Sequence, residues 1–189
     1  KKAIETYRKS RKVLAPEATV MVPPITPTPP PAILPKAPEV KPPDIEHYKE
    51  VGKGMLQSKR FTDAEVHFKK ALEIDPKDRD ALLALALIYT NTGRFEEAES
   101  IYRHYYAATG EKQVLKRLGT IYVLLQKYDS ALSTLIDFLK SNPNDTATLY
   151  TLALTYMLVG NHDEAFNQYL RLKKVDKKRA EELFEILYR

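Results

Sequence analysis

One recurring cadence restricts this chain more than any other feature. In Ala64-Glu65-Val66-His67-Phe68-Lys69-Lys70-Ala71-Leu72-Glu73-Ile74 a small residue is followed four places on by an aromatic ring and three further on by another small residue. Asp75-Pro76 then stops the helix. The pattern returns, more or less worn, about every thirty-four residues to the C-terminus. A period of that length belongs to stacked helical units, none of which buries its apolar face alone.

Placed in register, the repeats make the same physical demand column by column. A first helix carries an apolar ridge at Tyr48, Val51 and Met55, then at Leu82, Leu85 and Tyr89, at Leu115, Leu118 and Tyr122, and at Leu149, Leu152 and Tyr156. Spacings of three and four put each trio on one helix face. Directly after the middle member stands a small residue, Gly52, Ala86, Gly119 or Ala153. Twelve residues later, on a second helix, comes alanine each time: Ala64, Ala98, Ala131 and Ala165. Two antiparallel helices that pack closely need small side chains where they cross. Four places after the alanine stands a large side chain, Phe68, Tyr102, Leu135 or Tyr169. Between the helices lie Arg60-Phe61, Gly93-Arg94-Phe95, Lys127-Tyr128 and Gly160-Asn161-His162, where glycine suits the left-handed residue that ends a helix.

This pattern resembles the tetratricopeptide repeat, with every signature column except the leading tryptophan matched. The resemblance implies an all-α, right-handed α-solenoid of about four helix pairs over 44–177, with repeats at about 45–78, 79–111, 112–145 and 146–177. A capping helix is expected over 178–189, with Leu183 and Ile186 on its ridge. The departures are local. The proline between repeats is kept at Pro76 and Pro143 but becomes Gly110 and Lys177, and the second repeat is one residue short. The small residue late in the second helix survives only as Ala71, with Tyr105, Phe138 and Leu172 in its place elsewhere, and those bulky side chains are expected to widen the local helix spacing.

Ahead of the repeats, residues 1–15 read as a basic helical arm with Ile4, Tyr7 and Leu14 near one face. It is either a docking arm, the basic flank of a membrane anchor, or the tail of a longer helix. Residues 16–43 hold eleven of the thirteen prolines and form a proline-rich extended spacer able to reach on the order of 80 Å. Its Val20, Met21, Val22, Ile25, Ile33 and Leu34 are more apolar than a solvated linker needs, which suggests that part of it lies against a surface. A chain that starts at Lys1 is expected to be a piece of a longer or processed one, so an upstream anchor stays open. Cytoplasmic and periplasmic or cell-envelope locations both fit.

Of the net charge of +5, residues 1–44 supply +4, so the repeats are nearly balanced and lack the concentrated basic face that nucleic acid requires. Without cysteine there is neither a disulfide nor a thiolate metal site, and His47, His67, His104 and His162 do not pair at helical spacing. Gly52-Lys53-Gly54 lacks the length and ending of a phosphate loop. No catalytic constellation, cofactor or metal is expected.

In tetratricopeptide arrays the first helices line a concave face where ligands bind. The resemblance places Lys49, Lys53, Leu83, Leu87, Asn91, Lys116, Arg117, Val123, Tyr150, Leu154, Met157 and Leu158 there. Lys49 and Arg117 fit the chaperone-binding carboxylate clamp, but Lys53, Ala84 and Gln113 stand where its other polar residues belong, so the clamp is incomplete. The expected ligand is a protein or peptide, as an amphipathic helix or an extended apolar segment with some acidic character. The expected function is a scaffold or adaptor. A self-assembling subunit whose proline-rich arm docks on its own or a neighbour's groove, and a regulatory domain of an enzyme, are the competing readings. Ala98→Leu is expected to overpack a helix crossing and to lower stability by roughly 1–3 kcal/mol in urea unfolding.

Overall fold

The structure, a computed structural model, describes residues 44–187. The basic arm and the proline-rich spacer lie outside the described residues. Nine helices, and no strand, follow among the described residues. They are α1 (Ile45–Gln57), α2 (Phe61–Ile74), α3 (Arg79–Asn91), α4 (Phe95–Thr109), α5 (Gln113–Leu124), α6 (Tyr128–Ser141), α7 (Thr146–Leu158), α8 (His162–Val175) and α9 (Lys177–Leu187). Each odd helix up to α7 packs chiefly on the helix after it, and each pair stacks on the next, so the fold is an all-α solenoid.

The crossings follow the small-residue columns. Ala64, Ala98, Ala131 and Ala165 are fully buried, as are Ala86 and Ala153. A Cβ built on Gly119 would stand 2.5 Å from Cδ2 and 2.6 Å from Cγ of Leu135, and one on Gly52 would stand 2.9 Å from the Phe68 ring. The large residue four places after the alanine therefore drives into the small residue of the partner helix. Phe68, Tyr102, Leu135 and Tyr169 are all buried as a result.

The turn inside each pair repeats one hydrogen-bond scheme. Arg60, Arg94, Lys127 and Asn161 donate their N–H groups to the carbonyls of Met55, Tyr89, Tyr122 and Tyr156, five residues back. The residue before each of them bonds three back, from Lys59, Gly93, Gln126 and Gly160 to Leu56, Thr90, Val123 and Met157. This is the Schellman closure, and it demands a left-handed residue. Gly93 and Gly160 supply it at φ of 73° and 77°, whereas Lys59 and Gln126 adopt 57° and 58° without that freedom.

Starts of the first helices are capped by aspartate. Asp44, Asp78 and Asp145 accept from the N–H of His47, Ala81 and Thr148, which satisfies donors that the helix leaves open. Lys112 precedes α5 without such a bond. Tyr105, Phe138 and Leu172, the bulky replacements late in the second helices, are all buried. The Tyr105 hydroxyl donates to the Glu111 carboxylate and so ties α4 to the linker before α5.

The last helix differs in register from the expectation. Ala180 and Leu183 are fully buried, but Ile186 is 59% exposed. Asp176 both ends α8 and caps α9, accepting from the Arg179 N–H at 3.0 Å, so the longer linker found before α3, α5 and α7 is missing. The ridge accordingly falls four and seven places after Asp176, as Leu149 and Leu152 follow Asp145. The small-residue column then falls on Phe184, whose ring lies 5.4 Å from that of Tyr169.

Gly119→Ala tests the crossing. Helix propensity alone favours alanine by about 1 kcal/mol, yet the buried Leu135 leaves no room for the added carbon. Denaturant unfolding is expected to show a net loss of about 1–3 kcal/mol.

Candidate functional site

The first helices present one surface, and two adjacent cavities open along it. A cavity of about 240 Å³ is lined by Leu56 of α1, by Leu83, Ala84 and Leu87 of α3, by Tyr102 of α4 and by Arg117 of α5. A larger one of about 500 Å³ is lined by Thr90, Tyr102, Gln113, Lys116, Arg117, Thr120 and Ile121. The two share Tyr102 and Arg117, so an apolar compartment runs into a polar one. Tyr102 is only 1% exposed, and its hydroxyl lies 3.5 Å from Thr90 Oγ1. Its column had signalled packing only. It reaches this surface beside Thr90, with which it lines the larger cavity.

Electrostatics sort the basic residues of this face into structural and available ones. Lys49 is buried, and its ammonium donates to Asp78 at 3.0 Å and to Glu46 at 3.1 Å, with Asp80 at 3.5 Å. The Asp78 hydrogen bond raises its pKa well above the ordinary 10.5, although burial opposes the charge. Lys116 makes the equivalent bond to Asp145 at 2.9 Å. In both cases a lysine of one first helix binds the capping aspartate of the next, twenty-nine residues on. Between them the corresponding pair is Leu83 and Lys112, so cation and cap aspartate are absent together. In the fourth repeat the column holds Tyr150, with the Arg179 guanidinium 5.5 Å above its ring.

A parallel set joins the second helices. Glu65 binds Lys69 and Arg94, both at 2.7 Å, and Glu99 binds Lys127 at 2.6 Å and Arg103 at 3.8 Å. Burial pushes the Glu65 carboxyl up, but hydrogen bonds from Lys69 and Tyr89 and the Lys69 and Arg94 charges outweigh it, leaving the pKa below 4.5. Burial likewise opposes ionisation of Asp145, and Lys116 with Thr148 carries it below 3.8.

Of the twelve residues expected on the face, the structure gathers Leu83, Leu87, Lys116 and Arg117 around the two cavities. Leu87 is 38% exposed, and Arg117 forms no ion pair among the described residues. Lys53 is exposed and stands 3.8 Å from Asp80. Lys49 is withdrawn into its ion pair. Tyr150, Leu154 and Met157 are half-buried against the core of the last repeats and line neither cavity. Asn91 and Leu158 are exposed and Val123 half-buried, also outside both.

The ion pairs set the pH response. Glu65 and Asp145 have folded pKa values below their unfolded ones, so their contribution is present above about pH 4.5 and is lost as pH falls through the folded values. Lys49 has a raised folded pKa, so its contribution is present at neutral pH and lost only as pH rises through that raised value. Thermal melts are expected to show a plateau that drops on the acid side, and Glu65→Gln is expected to lower the melting temperature at pH 7 while flattening the acid limb.

Models of the tetratricopeptide repeat match residues 55–115 and 116–188. The type IV pilus assembly protein PilF of Pseudomonas aeruginosa is 28% identical over 148 residues, covering 75% of this chain and 59% of that protein. The chain spans between 9% and 59% of the length of the curated relatives it matches. Among solved structures, MamA superposes with a TM-score of 0.71 at 22% identity, covering 76% of this chain and 80% of that one. YrrB, a tetratricopeptide protein with an unusual peptide-binding site, superposes at 0.65 and 22% identity, covering 76% and 77%.

Proposed function

Because the chain belongs to the tetratricopeptide repeat family, we propose that it is a non-catalytic protein–protein interaction module. It takes a peptide or helix on the face of its first helices and serves as a scaffold or adaptor in assembling a larger complex. The observation that carries this reading is the joined pair of cavities. Leu56, Leu83 and Leu87 offer an apolar seat, and Arg117 stands beside it without a carboxylate partner among the described residues. A ligand with a large apolar side chain followed by an acidic group satisfies both compartments. Lys53, Asn91, Val123, Tyr150, Leu154, Met157 and Leu158 extend the same face on either side as further contacts.

Two similarities support an assembly role. PilF is by name a pilus assembly protein, and YrrB carries a peptide-binding site on the same fold. The basic residues that sequence columns offered are reduced here to Lys53 and Arg117, because Lys49 and Lys116 hold the repeats together. The ligand is therefore expected to be recognised more by its apolar side chains than by a dense negative charge.

Leu87→Glu places a charge in the apolar seat at a position already 38% exposed, so the helices are expected to survive. Loss of the native partner in pull-down with an unchanged circular dichroism spectrum is the expected result. Retained binding removes the groove from consideration.

A further inference from the structure

The outer surface of the second helices changes character along the array. In the first two stacking contacts the position after the crossing alanine is a glutamate, Glu65 or Glu99, held by cations at 2.7 Å and 2.6 Å. In the third the same column holds Leu132, and the residue four places on, Lys69 and Arg103 earlier, is Ile136. Among the described residues no ion pair takes the place of that staple at this contact. A cleft of about 320 Å³ opens instead between α6 and α8, floored by Leu139, Leu152 and Tyr156 and flanked by Ile136. Ile136 is 39% exposed at its edge.

The charged residues that line the cleft are the cations Lys140 and Arg171, and the Glu164 carboxylate is near enough to act on the Tyr156 hydroxyl of its floor. Among the described residues Arg171 donates only to neutral oxygens, Gln168 Oε1 at 2.8 Å and the Pro143 carbonyl at 3.2 Å. Lys140 shares Asp137, at 3.5 Å, with Lys112 at the same distance. An apolar slot bordered by under-neutralised cations complements an apolar side chain flanked by acids.

We propose that the α6–α8 cleft is a second docking surface, on the side opposite the groove, for an acidic segment of another protein that inserts one large apolar side chain. Two separate surfaces on one short array let it hold two partners at once, which goes beyond a single peptide-binding groove.

The test uses the full chain with labelled isoleucine and leucine methyl groups. The probes are a synthetic peptide with one phenylalanine between pairs of glutamates and the same peptide with lysines instead. Saturable shifts at Ile136, Leu139 and Leu152 are expected with the acidic peptide and none with the basic one. Arg171→Glu and, separately, Ile136→Glu are expected to weaken the response at least about tenfold, with helicity unchanged, whereas Leu87→Glu leaves it intact. Absence of shifts, equal shifts with the lysine peptide, or shifts that follow protein concentration alone, as for a second copy of this chain, would each overturn the proposal.

Discussion

The structure depends on how closely two helices approach at a glycine or alanine. At Gly119 the Leu135 side chain occupies the space that a Cβ would need, and at Gly52 the Phe68 ring does so. In the other two repeats Ala86, Ala98, Ala153 and Ala165 of the same columns are equally closed to solvent. This approach fixes the rotation of each first helix about its own axis. The ridge residues are thereby turned inward, and Leu83, Leu87 and Arg117 are turned onto the opposite face. The binding surface is a consequence of packing that lies one helix away from it.

Stacking of one pair on the next uses a different interaction. In the N-terminal half charged side chains span the junctions, from Lys49 to Asp78 and from Glu65 to Arg94. Toward the C-terminus the Lys116–Asp145 pair persists between first helices, while between second helices apolar and aromatic contacts take over, with Leu132 partly buried against the core and the Phe166, Tyr169 and Phe184 rings close together. A helix that contributes to both regimes is α6, whose Phe138 belongs to the N-terminal apolar cluster while Leu135 and Leu139 belong to the C-terminal one. Breaking one partner of a largely desolvated pair such as Lys49 and Asp78 leaves a charge with poor solvation, which costs more than the pair contributes when intact. The junctions that carry such pairs, Lys49 with Asp78 and Lys116 with Asp145 among them, are therefore the ones expected to respond to pH and salt.

Most of the fold was legible in the residues, because a repeat states each physical demand several times. Ala64, Ala98, Ala131 and Ala165 mark four crossings, and Tyr48 through Tyr156 mark the ridges. The candidate surface was legible only in part. Helical columns show which way a side chain points but not what it meets from the next repeat, so Lys49 looked like a ligand-binding cation when it is an inter-repeat clamp. Tyr102 was read as core, and it is, but its hydroxyl end also floors the polar cavity. Ile186 was misplaced because the linker before α9 shrinks to Asp176, a change in length that no helical period reveals.

A photo-reactive amino acid placed at Leu87 and, separately, at Val66 offers the most direct check of where partners bind. Val66 is 50% exposed on the second helix of the first pair, away from both cavities, so it reports encounters unrelated to the groove. Crosslinking in native cells is predicted to give a discrete partner adduct from position 87 and none from position 66. Equal adducts from both positions, or an adduct from position 66 alone, would contradict the assignment of the first-helix face as the working surface.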